Sequence, residues 1–296
     1  MEYRHLISFS VLAEELHFGI SAQKLNITQP ALSQYIKGME SELRIQLFKR
    51  TNRQVALTDE GRQLLEPVRL LIKNYKNVKD VARSLQAGEH GILKLGYVGS
   101  SITDPVLSVL IQGYKREFGN VKLILEEHNV CDQIALLVDN LLDVAVVRMP
   151  ISQHEHLKYC TISTCPLIAV LPEDHRLAQN GTIPLASLSS DPFFIQQDPP
   201  GVGLGWSTLD ACFQAGFTPQ GVKLTQDVST AIGMVSMGMG VTLVPQTQST
   251  VKIPNVTYCQ LEGEPTLTTL SLVWSSRTKN KLVVDFIHFV KEILRV

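Results

Sequence analysis

No stretch of the chain approaches the roughly 20 consecutive apolar residues that a membrane-spanning helix needs, so no transmembrane anchor is expected. The opening MEYRHLISFSVLAEELHF carries Glu2, Glu14 and Glu15 among its apolar residues and lacks the basic–apolar–small order of a signal peptide. A cytoplasmic location is the resulting expectation. The five cysteines (Cys131, Cys160, Cys165, Cys212 and Cys259) are scattered and odd in number, which excludes a disulfide scaffold and reads as free thiols in a reducing compartment. Catalytic signatures are also missing. Gly201-Val202-Gly203-Leu204-Gly205 has neither the spacing of a dinucleotide fingerprint nor the trailing Lys-Ser/Thr of a P-loop, and there is no Gly-x-Ser-x-Gly elbow or His-Glu-x-x-His. His154, His156, Cys160 and Cys165 are chemically able to hold zinc, but their spacing fits no zinc motif. No enzyme, catalytic residue, metal or cofactor is therefore expected. A net charge of −1 excludes a polycation. What remains, 296 residues with 44% hydrophobic and 19% charged, is a globular chain long enough for two or three domains.

Charge is unevenly placed. Over residues 1–57, seven basic residues (Arg4, Lys24, Lys37, Arg44, Lys49, Arg50, Arg53) face five acidic ones, leaving +2, and Lys49, Arg50 and Arg53 crowd together. Leu6, Phe9, Val11, Leu12, Leu16 and Phe18 have helical spacing. Ser21, Ala22 and Leu25 suit a short second helix. Asn26-Ile27-Thr28 is a turn with Thr28 as N-cap, and Gln29-Pro30 opens a third helix through Ala31, Leu32, Ile36, Met39 and Leu43. The other face of that helix shows Gln29, Ser33, Gln34 and Lys37, all hydrogen-bonding side chains. The pattern predicts a helix-turn-helix, and LFKRTNRQVALT predicts a β-wing carrying the basic cluster. A three-helix bundle with a solvated polar face has the same periodicity.

Linked motifs sharpen this. Ser21-Ala22-Gln23-Lys24-Leu25, Thr28-Gln29-Pro30-Ala31-Leu32-Ser33, Leu47-Phe48-Lys49-Arg50 and Leu57-Thr58-Asp59-Glu60-Gly61 together resemble the LysR-type transcriptional regulators over about sixty residues. Two departures stand out. Ser21 replaces the usual first alanine, and Arg44 stands where glycine is common, which strains the turn if it needs positive φ. The resemblance implies a multi-domain α+β protein: an N-terminal winged helix-turn-helix, a long linker helix and a C-terminal α/β fold of two subdomains like periplasmic solute-binding proteins. It implies double-stranded operator DNA and a small-molecule effector as partners, with RNA polymerase a further candidate. It also implies a homodimer, with tetramers frequent among such proteins. DNA contact is expected from Thr28, Gln29, Pro30, Ser33, Gln34, Lys37, Arg50 and Arg53.

Beyond Gly61, apolar residues fall at Leu64, Val68, Leu71, Tyr75, Val78, Ala82 and Leu85, spaced 4, 3, 4, 3, 4, 3. Such a seam predicts a two-stranded coiled coil. A single helix lying on its own chain is the competing reading, and Pro67 predicts a kink near Gln63. The expected division is a DNA-binding domain at 1–58, a linker helix at 59–87, a hinge at 88–91 and an effector domain at 92–296. Within the last, subdomain I comprises 92–161 and 268–296, and subdomain II comprises 162–267.

From Ile92 strands and helices alternate: strand Leu93–Val98, a helix ending near Phe118, strand Val121–Glu126, a helix around Gln133–Val138 and strand Leu142–Val147. This predicts a right-handed parallel βαβαβ unit. A second unit is expected from strand Leu167–Leu171, Phe193–Ile195, helix Ser207–Ala215, strand Val222–Thr225, helix Ser229–Met237 and strand Val241–Val244. Leu270–Trp274 and helix Lys281–Leu294 return to the first. Ligands of open α/β sheets bind beyond the carboxyl ends of strands. That places Gly99-Ser100-Ser101 and Gly205-Trp206 at candidate effector sites, each at an expected helix N-terminus able to receive an anion. Arg148, at a strand end, is a candidate counter-charge. By the family resemblance, Val130 also falls in the effector site, where it offers no hydroxyl. A small organic anion is the expected effector. Thiol-based redox sensing on the same fold is the alternative; Cys212 then needs Cys165 or Cys259 as partner.

Overall fold

The structure is a computed structural model describing residues 1–50, 55–86 and 91–295; the side chains of residues 50 and 84–86 lie outside that description. Contacts divide the chain into two compact units, Met1–Gln86 and Ala87–Val296.

The first unit contains α1 (Tyr3–Glu15), α2 (Phe18–Lys24), α3 (Gln29–Leu43), the hairpin β1 (Phe48–Arg50) and β2 (Val55–Leu57), and α4 (Asp59–Gln86). Leu6, Phe9, Leu12, Leu32, Ile36, Met39, Leu47, Phe48 and Val68 form its core. β1 and β2 pair antiparallel, with Phe48 opposite Leu57. The Leu-Thr-x-x-Gly motif acts as a clasp. The buried Thr58 hydroxyl meets the carbonyls of Gln46 and Leu47 at 2.6 and 3.1 Å and receives the Gly61 N–H at 2.9 Å. A Cβ on Gly61 would stand 2.3 Å from the Leu47 carbonyl oxygen, so this position admits no side chain. Arg44 closes α3 in the left-handed region at φ 57, the conformation glycine adopts more readily.

Helix α4 runs unbroken through Pro67. Its seam has two parts. Val68 is buried and Leu64 partly buried against the core of the same unit, so the reading of a helix lying on its own chain holds for this half. Farther on, the seam residues Leu71, Tyr75 and Val78 are 50, 41 and 68% exposed. The side chain of Leu85, the last seam position, and residues 88–90 of the expected hinge lie outside that description.

The second unit comprises β3 (Ile92–Tyr97), α5 (Pro105–Glu117), β4 (Lys122–Glu127), α6 (Val130–Val138), β5 (Val144–Arg148), β6 (Leu157–Pro172), β7 (Thr182–Ile183), β8 (Phe194–Gln196), α7 (Gly203–Gln214), β9 (Lys223–Thr225), α8 (Val228–Ser236), β10 (Thr242–Pro245), β11 (Val256–Leu261), β12 (Leu267–Ser275) and α9 (Lys281–Leu294). The main sheet runs β4-β3-β5-β12-β6-β11-β7, with β10 also pairing β6; β8 and β9 form a parallel pair. β3 pairs parallel with both β4 and β5, as the βαβαβ reading requires. Two cores result. One gathers residues from Leu93 to Ile162 with Leu270–Val290, the other residues from Leu167 to Cys259. In the first, α9 buries Val283, Phe286, Ile287 and Val290 along one face, and Tyr114 stacks on Phe118 at 4.6 Å.

The crossovers correct the expected strand lengths. β6 is a single 16-residue strand that begins at Leu157 and enters the second core at Leu167. It pairs antiparallel with β12 from Leu157 opposite Ser275 to Pro166 opposite Leu267. The expectation saw only its apolar end, Leu167–Leu171, because the other end gains its order from a distant partner strand.

Candidate functional site

The candidate nucleic-acid surface is the outer face of α3. Leu32, Ile36 and Met39 are buried, Gln29, Pro30, Gln34 and Lys37 are exposed, and Ser33 is half-buried. The 3.6-residue period therefore puts the hydrogen-bonding side chains on one open face. Asn26 turns the chain at φ 51, and the Ile27 N–H closes on the Ala22 carbonyl at 3.0 Å. Thr28 occupies the N-cap position in extended conformation, but its side chain makes no cap hydrogen bond, contrary to its expected role. Its hydroxyl and the first N–H groups of α3 remain open. Lys49 is exposed on the wing. The Arg50 side chain and Arg53 lie outside the described residues.

In the second unit, strand ends converge on a cleft of about 530 Å³. Gly99, Ser100, Val130 and Arg148 line it, four of the seven residues expected. Ser100 and Arg148 are each only 1% exposed. The Ser100 carbonyl accepts from Gln248 Nε2 at 3.0 Å and Arg148 Nη2 at 3.4 Å. Arg148 Nη2 also stands 3.6 Å from Asp104 Oδ2, both side chains being almost fully buried. Burial pulls the Arg148 guanidinium below its usual pKa, while Cys165 and Asp104 oppose the shift. Among the described residues, Ser100 Oγ and Arg148 Nε have no hydrogen-bond partner. Leaving such groups unpaired costs about 1–3 kcal/mol each, so an acceptor supplied at this wall of the cleft would be favoured.

The other three expected residues lie off this lining. Ser101 is buried but does not line the cleft; its hydroxyl donates to the Val98 carbonyl at 2.7 Å. Residues 99–101 form a short 3-10 turn, and α5 starts only at Pro105, where Asp104 accepts the Val106 N–H at 3.2 Å. Gly205 and Trp206 also lie off the cleft lining. Helix α7 begins at Gly203, not Ser207, and its first turn is already met by Asp198, whose Oδ2 accepts the Gly205 N–H at 2.9 Å. Any Cβ on Gly203 would lie 2.5 Å from that carboxylate, and one on Gly205 would lie 2.3 Å from the Gln196 carbonyl. The glycines thus seat the protein's own carboxylate. The first turn of α7 is occupied by that carboxylate, and residues 99–101 do not begin α5.

Several lining residues escaped the sequence reading: Glu127, Asp132, Gln196, Gln197, Asp198, Gln226 and Asp227. Glu127 and Gln196 end β4 and β8, and Gln226 follows β9 directly. The rule that ligands bind beyond strand carboxyl ends would have found them had it been applied to every strand. Burial pushes the Asp198 carboxyl up, against the N–H groups of Gly205 and Leu204.

Burial pushes Cys131, Cys160 and Cys259 up and Cys212 to about 12, which disfavours their thiolate forms.

Comparison with known proteins covers nearly the whole chain. Residues 3–62 match the bacterial regulatory helix-turn-helix protein, lysR family, and residues 86–295 match the LysR substrate binding domain. The chain is 33% identical to the HTH-type transcriptional regulator AlsR of Bacillus subtilis, covering 97% of this chain and 95% of that one. It is 34% identical to an uncharacterized HTH-type transcriptional regulator, YnfL, of Escherichia coli, covering 93% and 92%. Among solved structures, CbnR, a LysR family transcriptional regulator, superposes with a TM-score of 0.82 at 19% identity, covering 99% of both chains. CbnR bound to its target DNA gives 0.81.

Proposed function

The chain belongs to the LysR family of DNA-binding transcriptional regulators, which are not enzymes, and from that premise we propose how its two units do their work. Gln29, Ser33 and Gln34 read base edges in the major groove, while Thr28, Pro30 and Lys37 lie against the sugar–phosphate backbone. Arg50 and Arg53 of the wing add phosphate contacts. The open polar face of α3 supports this, because amide and hydroxyl side chains carry donor and acceptor patterns that a phosphate-only surface does not need. Selecting random-sequence duplexes on the purified protein tests it. A defined motif is expected from the wild type, and a relaxed one from Gln29→Ala.

The cleft in the second unit takes a small organic effector, and its carboxylate end meets Ser100 and Arg148. The observation that carries this is the pair of buried, unpartnered donors, Ser100 Oγ and Arg148 Nε, on one cleft wall. Ser100 is also where the two cores meet, since Gln248 reaches its carbonyl from the far side. A ligand on the Ser100 hydroxyl therefore bears on the contact between subdomains. Ser100→Ala removes the hydroxyl without unpairing a buried charge; it should abolish thermal stabilisation by carboxylates that stabilise the wild type. Equal stabilisation of both proteins refutes the assignment.

Two copies pair through the open half of the α4 seam, from Leu71 to Ala82. The support is its exposed apolar residues at coiled-coil spacing.

A further inference from the structure

Resting on the reading of the cleft as the effector site, we propose that the effector is zwitterionic: a small amino acid whose carboxylate meets Ser100 and Arg148 and whose ammonium lies among Glu127, Asp198 and Asp227. The argument begins with charge. Four carboxylates line the cleft: Glu127, Asp132, Asp198 and Asp227. Among the described residues of the lining, Arg148 is the only lysine or arginine, and it already faces Asp104 at 3.6 Å. The lining histidine, His128, stands 3.1 Å from Glu126 Oε2. Among the described residues no ion pair engages any of the four carboxylates.

These groups are held in place. Asp198 accepts the Gly205 N–H at 2.9 Å. Asp227 accepts the Thr230 N–H and hydroxyl, both at 2.8 Å. The Glu127 carboxylate lies over Gly99, where a Cβ would come within 2.7 Å of its Oε1. Fixed, like-charged groups around one cavity form a preorganised cation site. A purely anionic guest would add charge to a wall that already repels it.

An acidic wall by itself does not define a ligand. The independent observation is a pair of buried donors in the same lining. Ser100 Oγ and Arg148 Nε are buried, line the same cleft and lack partners. An Arg Nε–H can only donate, so it needs an acceptor on the ligand. A simple amine has no such acceptor once protonated, and a simple carboxylate leaves the acidic wall unmatched. One small molecule with both groups satisfies both sets of lining residues, and the cleft volume of about 530 Å³ suits it.

The test is a thermal-shift screen of the full chain with the proteinogenic amino acids, each beside its hydroxy-acid and des-amino counterparts. At least one amino acid should raise the melting temperature, and its two counterparts should fail at equal concentration. By calorimetry, Asp198→Asn and Asp227→Asn should each weaken that amino acid about tenfold or more and narrow its advantage over the des-amino acid. Asp227→Asn serves if the first variant misfolds. Equal binding of a hydroxy or des-amino counterpart, unchanged affinity in both variants, or no response to any amino acid overturns the zwitterion. The cleft assignment fails separately, when Ser100→Ala binds a stabilising ligand as tightly as wild type does.

Discussion

Replacing Leu71 by glutamate probes the second half of the α4 seam, which stays largely open in the single chain. Leu71, Tyr75 and Val78 are 50, 41 and 68% exposed, and Tyr75 stacks on Tyr3 with ring centroids 3.9 Å apart. Full burial of such side chains stabilises by about 1.5–3 kcal/mol each; with half the surface still uncovered, about 1 kcal/mol per residue is available on pairing. Three residues on each of two helices then contribute on the order of 6 kcal/mol before association costs of about 4–15 kcal/mol are subtracted. The seam is therefore marginal and sensitive to single changes. Leu71→Glu removes its apolar share from both chains and brings two carboxylates toward an apolar interface, at a further cost of several kcal/mol. A combined loss of about 4–5 kcal/mol weakens the dimer by roughly three orders of magnitude. Sedimentation velocity at micromolar concentration should show monomer. Lys73→Glu, at an exposed position, should leave the dimer intact. A Leu71→Glu protein that sediments like wild type would refute the pairing.

Other outcomes follow from the same structure. Gln29→Ala should cost about 1–3 kcal/mol at the operator and relax base preference, while Lys37→Ala should weaken all DNA alike and reduce the salt slope by about one; fluorescence anisotropy across salt separates them. Arg44→Gly relieves a left-handed residue at φ 57 and should raise stability by about 0.5–1 kcal/mol in denaturant unfolding, provided the helix end is otherwise unchanged. Burial pushes the Asp143 carboxyl up, against hydrogen bonds from the Lys94 N–H and Asn280. Because its folded pKa exceeds its unfolded value, its stabilising contribution is complete below the ordinary carboxylate range, about 4, and is lost as pH rises through the folded pKa. The stability of wild type relative to Asp143→Asn should accordingly fall as pH rises from there, and a flat difference would contradict the shift.

Much of the first unit was legible because its elements are local. Alternation of buried Leu32, Ile36 and Met39 with open Gln29, Gln34 and Lys37 is a 3.6-residue period, and Thr28-Gln29-Pro30 marks the helix start without reference to anything distant. At Arg44 the missing glycine marks a position where positive φ would strain the turn, and φ there is 57. Elements stabilised by distant partners were not legible. The polar first half of β6 is ordered by pairing with β12, about a hundred residues later, and β11 by pairing with β6 and β7. The site divides the same way. Ser100 and Arg148 could be placed from strand ends. Asp104-Pro105, an N-cap followed by proline, already signalled that α5 starts beyond Ser101, and that local mark was passed over. Asp198 was different: that it would reach back to occupy the first turn of α7 depends on how the loop closes, which no spacing reveals.

A ligand on Ser100 that regulates transcription must change the affinity of the DNA-binding unit for its operator. The most direct measurement is the operator dissociation constant of wild type and Ser100→Ala, each with and without a saturating concentration of a ligand that stabilises the wild type. Coupling between two sites is a difference in affinity, and a tenfold change corresponds to about 1.4 kcal/mol. The account predicts equal operator affinity for the two proteins without ligand, a ligand-driven change of about tenfold or more in wild type, and none in Ser100→Ala. A Ser100→Ala protein whose operator affinity shifts with ligand as the wild type's does would contradict it.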